Sequence, residues 1–227
     1  MFNISELHQA SLLMDAAAVC LLAGTLIHTS IYRKRGHGDD ILFFALNIIT
    51  VIMAVSDGVT FALDGGTVPY GARISLLCNN VFFITFELFC GLLAVYLDYR
   101  IVVRKNIYTL KRGLVVMIPA IVMILLILAN NFGRFLYWVD PATNEYFSYP
   151  MYNLVFLGPA IYAVFGMICV VRIDVKSLWI YILLLAVRLF FGQITQGVSS
   201  TALIFSMGLV FIHLYYMRLP FYDEEAL

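Results

Sequence analysis

Three ionisable side chains stand inside long apolar runs: Asp57 in VIMAVSDGVTFAL, Glu87 in VFFITFELFCGLL and Arg188 in IYILLLAVRLFFG. A charge in hydrocarbon costs about 3 kcal/mol or more, so such residues face a bundle interior or a cavity and mark ligand or ion pathways. At about 1.5 Å per helical residue, Glu87 lies about 20 Å below the outer start of its run. Arg188 lies about 18 Å above the inner start of its own, and Asp57 about 10 Å below an outer end. Arg188 is thus within vertical reach of both carboxylates, and either pair is open. Three chemistries fit: an internal ion pair that fixes helix packing, a polar ligand pocket in the outer half, or proton or ion transport. Amides and aromatics collect toward the same end. Asn79, Asn80, Asn153 and Gln193 lie there, with Trp138, Tyr146 and Tyr152 in or beside an outer loop. Together with the three charges they form the candidate ligand-binding set.

Other chemistries lack their residues. Cys20, Cys78, Cys90 and Cys169 all fall in apolar stretches without CxxC or Cys/His spacing, so they read as small core residues. No lysine lies deep in a span to carry a retinal Schiff base. Only His213 is inside a span, with His28 near an inner end; each reads as a lone structural histidine rather than a haem ligand. There is no HExxH, and Gly36-His-Gly38 and Gly65-Gly66 open no phosphate-binding helix. Leu97-Asp98-Tyr99-Arg100 holds the residue types of a seven-helix receptor lock in the wrong order and reads as coincidence. Catalysis, a metal and a cofactor are therefore not expected in this chain.

The elements that position these residues follow from composition. Of 227 residues, 63% are hydrophobic and 12% charged, which no water-soluble domain of this size tolerates. A helical span needs about 20 apolar residues. Seven are predicted, at about 10–32, 41–63, 73–99, 112–131, 151–171, 177–196 and 199–217. The last two are separated only by Gln193-Ile-Thr-Gln-Gly197; joined, they would be too long for one crossing. No basic residue precedes the first apolar run, so a retained first span is expected rather than a cleaved leader. Basic residues follow the first, third, fifth and seventh spans, while the other side holds only Arg73 and Arg134. Positive charge marks the cytoplasm, giving an outer N-terminus and an inner C-terminus. The fold class is an all-α seven-helix membrane bundle forming one domain over 1–227. Between the fourth and fifth spans a short outer β-hairpin is predicted. Phe135–Val139 and Glu145–Ser148 are its strands, and Asp140–Asn144 its turn. Pro119, Gly158 and Pro159 interrupt the fourth and fifth spans and read as local kinks.

Several stretches, in order, carry a family likeness. They are Tyr32-Arg-Lys-Arg35 before Asp39-Asp40-Ile-Leu-Phe-Phe44, Ala54-Val-Ser-Asp57-Gly, Val95-Tyr-Leu-Asp-Tyr-Arg100, and the outer loop Tyr137-Trp-Val-Asp-Pro-Ala-Thr-Asn-Glu-Tyr-Phe-Ser-Tyr-Pro-Met-Tyr152. The chain resembles the N-terminal multi-helix sensor regions of bacterial, clostridial-type GGDEF diguanylate cyclases and related histidine kinases. The resemblance implies a receptor whose sensing face holds Asp57, the hairpin from Trp138 to Tyr146 and the start of the fifth span. It assigns no ligand. Any catalytic output domain would lie beyond residue 227 or on a partner.

The expected protein is a multi-pass sensor of the bacterial inner membrane. It binds a small extracellular or lipid ligand under the hairpin and passes a change in helix packing to a cytoplasmic cyclase or kinase output. A homodimer is one expected assembly, and the balanced charge points to no nucleic acid. Two rival readings are a small secondary transporter or proton-coupled carrier using Glu87 and Arg188, and a scaffold subunit without a ligand.

Overall fold

The computed structural model describes residues 6–32, 38–66, 68–102, 109–173 and 199–218. The expected sixth span, with Arg188 and Gln193, lies outside the described residues. The described elements are α1 (Glu6–Tyr32), α2 (Gly38–Leu63), α3 (Gly71–Val102), α4 (Leu110–Gly133), β1 (Tyr137–Val139), β2 (Tyr146–Ser148), a 3₁₀ helix (Pro150–Phe156), α5 (Leu157–Ile173) and α6 (Thr201–Arg218). Five stretches are long and apolar enough to cross a membrane: His8–Ile31, Ile41–Leu63, Gly71–Tyr99, Leu110–Gly133 and Pro150–Cys169. Thr201–Leu214 is apolar but shorter.

The apolar helices pack through limited contact faces. On α4 the buried residues Gly113, Ala120 and Ile127 recur every seven positions, making one narrow contact face. The rest of that helix exposes Leu114, Ile118, Ile121, Val122, Leu125, Leu128 and Phe132, a continuous apolar surface of the kind that meets lipid or another apolar partner. α3 is the hub: 72% of its spanning stretch is buried, against 28% for α1 and for α4. Its Phe89 stacks on Phe205 of α6 at 4.2 Å, and Phe86 on the same ring at 5.7 Å.

Contacts fix the directions. Ser199 beside α6 meets Ser11 near the start of α1, and His213 meets His28 near its end. Phe83 and Phe86 of α3 meet Tyr152 and Phe156 at the entrance to α5. Asn80 bonds Asn131, while Asp98 bonds Arg112, so α3 and α4 are antiparallel. Thus α1, α3, α5 and α6 run one way and α2 and α4 the other. The hairpin sits at the end where α1, α3, α5 and α6 begin.

Pro119 illustrates how the bundle repairs a defect. Proline has no N–H and pushes the preceding turn open. The Tyr162 hydroxyl of α5 enters the opened ladder, donating to the Val116 carbonyl at 2.9 Å and accepting from the Ala120 N–H at 3.0 Å. The kink in α4 thereby becomes a docking point for α5.

Candidate functional site

The hairpin is held down on the bundle by hydrogen bonds from three elements. Antiparallel pairing sets Tyr137 opposite Ser148 and Val139 opposite Tyr146. Strand alternation then turns Tyr137 and Val139 inward, both essentially unexposed, with Trp138 facing the other way. The Tyr137 hydroxyl donates to Asn80 of α3 at 2.6 Å, and Asn80 donates to Asn131 at 2.7 Å. Asn130 bridges the end of α4 to β1, donating to the Tyr137 carbonyl and accepting from the Leu136 N–H. Asn144 adopts a left-handed conformation, at φ 57°, and its amide donates to the Gly66 carbonyl. That amide fills the space a Cβ would need at Gly71, which is why the start of α3 takes glycine there. Asp64 accepts from the Tyr146 N–H at 3.1 Å and meets His8 of α1 at 3.5 Å.

Under the hairpin runs an aromatic column, Tyr146–Tyr152–Phe156–Phe86–Phe205, with successive ring centres 5.6–6.4 Å apart. Burial pushes the Tyr137 hydroxyl well above the ordinary tyrosine range, and neighbouring Tyr152 adds to it. Burial does the same at Tyr146, followed by Tyr152, Tyr137 and the carboxylate of Asp57.

Asp57 does not stand by itself in its layer. It is buried on α2, where it accepts a short hydrogen bond from the Ser199 hydroxyl. The Ser199 N–H donates to the Ser11 hydroxyl at 3.1 Å. Asp15 of α1 points into the same layer: a Cβ built on Gly58, the residue after Asp57, would lie 3.6 Å from Asp15 Oδ2. Asp15 is 4% exposed, and neither carboxylate oxygen has a hydrogen-bond partner. The sequence reading counts three intramembrane charges and misses this fourth. Its signal, one aspartate in LLMDAAAVC, is masked by nearness to the start of the run, where a carboxylate reads as interfacial.

Glu87 forms a separate centre. It is completely buried on α3, both oxygens lack a hydrogen-bond partner, and its carboxylate lies on the backbone of Gly158. Cys90 and Tyr162 lie within its electrostatic reach. Asn79 bonds the Ser75 carbonyl of its own helix at 2.9 Å. Trp138 lies under the Arg134 guanidinium, 3.6 Å from the ring centre, away from the column. Asn153 is exposed and lines a shallow apolar groove with Met151, Leu154 and Leu157. Of the candidate set, the structure thus brings Tyr146 and Tyr152 together, while Asp57 bonds Ser199. Asn80 anchors the hairpin; Asn79, Glu87, Trp138 and Asn153 sit elsewhere.

The opposite end carries two polar contacts. Asp98, almost fully buried, is gripped by Arg112 through two bonds of 2.6 and 2.7 Å. His28 and His213, read separately in the sequence, meet nitrogen to nitrogen at 2.9 Å, with His213 stacked on Phe43. Among the described residues no three His, Cys, Asp or Glu side chains gather as a metal site. Comparison with known protein families, curated proteins and solved structures finds no match.

Proposed function

We propose that this chain is a membrane sensing domain. A small ligand enters beneath the hairpin, binds at the Asp15–Asp57–Ser199 layer, and shifts the packing of α1, α2 and α6. The observation that carries the reading is that layer: a carboxylate without a partner faces a hydrogen-bonded set drawn from both ends of the chain. Ser11, Asp57 and Ser199 are contributed by three segments, so filling the layer bears on how those segments pack together. Ligand binding moves such a packing only when it favours one arrangement over the other. The likeness to sensor regions of GGDEF cyclases and histidine kinases supports a cytoplasmic output, on a following domain or a partner.

The inner-membrane topology belongs to the same proposal. The distribution of basic residues supports that orientation: Arg100, Lys111, Arg112, Arg172 and Arg218 lie toward the end opposite the hairpin, against Arg73 and Arg134 at the hairpin end.

A second reading, a proton-coupled carrier, is favoured by one observation: Glu87 is buried without a partner. One experiment separates the two. The protein in lipid nanodiscs is screened for thermal stabilisation by small polar compounds, and any hit is tested for flux in proteoliposomes. The sensing reading expects stabilisation that Asp57→Asn abolishes, without flux. Substrate flux that disappears in Glu87→Gln overturns it.

A further inference from the structure

We infer that the Asp15–Asp57 layer is a binding site for a primary ammonium group, so that the sensed ligand is a small amine. The inference rests on the sensing reading and names the chemistry of its ligand. Its starting point is a hydrogen-bonded set in which Ser11, Ser199 and Asp57 tie α1, α2 and the start of α6 together. Into that set points Asp15, over nine-tenths buried, with two oxygens that bond nothing. A buried charge or polar group without a partner is costly, and proteins seldom retain one unless something binds it.

The missing partner must be a donor. Asp15 offers two acceptor oxygens that nothing bonds, beside a second carboxylate, Asp57. The carboxylates repel each other, which a cation between them would reverse. A primary ammonium supplies three donors and one positive charge in a compact head, so it can bond both aspartates and a serine oxygen at once. A hard metal ion is the poorer match. Among the described residues no third His, Cys, Asp or Glu joins the pair, whereas calcium takes six to eight oxygens. A Cβ at Gly58 would already meet Asp15 Oδ2 and Leu12 at 3.6 Å, so glycine lets α1 and α2 approach closely at the layer. An amine entering beneath the hairpin would meet the aromatic faces of Tyr146 and Tyr152, which suit a cation.

The test uses the full chain in nanodiscs at fixed ionic strength, with ethylammonium chloride as the probe. Tetramethylammonium chloride gives the same charge without N–H donors, and sodium chloride gives a bare ion. Expected is a Tm rise of roughly 5–10 °C with ethylammonium at a hundredfold excess over Kd, and none with the other two salts. Asp15→Asn and Asp57→Asn should remove the rise. Ser199→Ala, a milder change that tests the site even where an aspartate variant fails to fold, should weaken binding roughly tenfold. Equal stabilisation by sodium or tetramethylammonium would show that charge alone is read and overturns the ammonium assignment. No difference among the salts means that a proton, or a cation of the chain such as Arg188, fills the layer, and overturns it too. If amines fail while another compound stabilises the wild type but not Asp57→Asn, the sensing reading stands without this inference. If amines bind and also cross proteoliposomes, the site stands and the sensing reading falls.

Discussion

Gly158→Ala is the sharpest probe of the Glu87 centre. A Cβ at residue 158 would sit 2.1 Å from Glu87 Oε2, 2.9 Å from Cδ and 3.0 Å from Oε1. Carbon and oxygen do not approach within about 3 Å, so the carboxylate must retreat by roughly 1 Å. Glu87 is completely buried between α3 and α5, so it has no solvent to retreat into. Overpacking of this kind costs about 1–3 kcal/mol. For a chain of this size that is a Tm loss of roughly 2–12 °C. Glu87→Ala removes both the obstacle and a carboxylate that no hydrogen bond satisfies. The double variant Gly158→Ala/Glu87→Ala should therefore be no less stable than Glu87→Ala. The assay is thermal unfolding of the four proteins in nanodiscs, analysed as a double-mutant cycle. Losses that add to within about 0.5 kcal/mol would refute the contact and return Gly158 to the role of an ordinary kink residue.

Three further outcomes are expected. Tyr162→Phe leaves the Val116 carbonyl and Ala120 N–H beside Pro119 without their bridge, and should cost about 1–3 kcal/mol in Tm assays. Arg112→Ala strands buried Asp98; because the Arg112 side chain is 47% exposed, the loss should be about 1–3 kcal/mol rather than that of a fully buried pair, and Asp98→Asn in the same chain should recover part of it. The hairpin should loosen in alkali. Tyr137 and Tyr146 are held protonated in the folded state, which then binds more protons than the unfolded chain above the ordinary tyrosine value of 10.0. Stability is therefore full below about pH 10 and falls as pH rises past it; Tyr137→Phe should flatten that fall, and an alkaline loss no smaller in Tyr137→Phe than in the wild type would contradict it.

Length and apolarity carry most of what the sequence reveals. The stretch Ile41–Leu63 matches the expected second span, because a helix in lipid must satisfy its own backbone and its length is set by the hydrocarbon. Paired strands form within 135–148, where aromatic runs flank Asp140-Pro141, a turn with its own hydrogen bond from the Ala142 N–H to Asp140 Oδ1. What stays hidden is which residues meet. Asp98 and Arg112 are 14 positions apart across a loop, and His28 and His213 are 185 apart, so no local pattern announces either pair. Trp138 and Tyr137 look equally suited to a ligand face, yet one step along a strand reverses the side on which a residue lies. Asp15 escapes notice because depth counted from the start of a run ignores how far α1 extends before it, to Glu6.

The arrangement of α6 bears on how a sensing layer could communicate with the far end. Ser199, at its threshold, holds Asp57 and Ser11; His213, within it, holds His28. The two contacts are 14 residues apart, or about 21 Å of helix, roughly two thirds of a hydrocarbon core. Both join α6 to α1, which itself carries Ser11, Asp15 and His28. Between them Ala18, Ala54 and Ala202 are buried together with Val19 and Leu203 packed against them, so the helices lie close. The Phe86–Phe205–Phe89 stack ties α6 to the hub helix α3. Binding in the layer would thus bear on the α1–α6 seam, with the histidine pair the polar contact at its other end that must accommodate the shift.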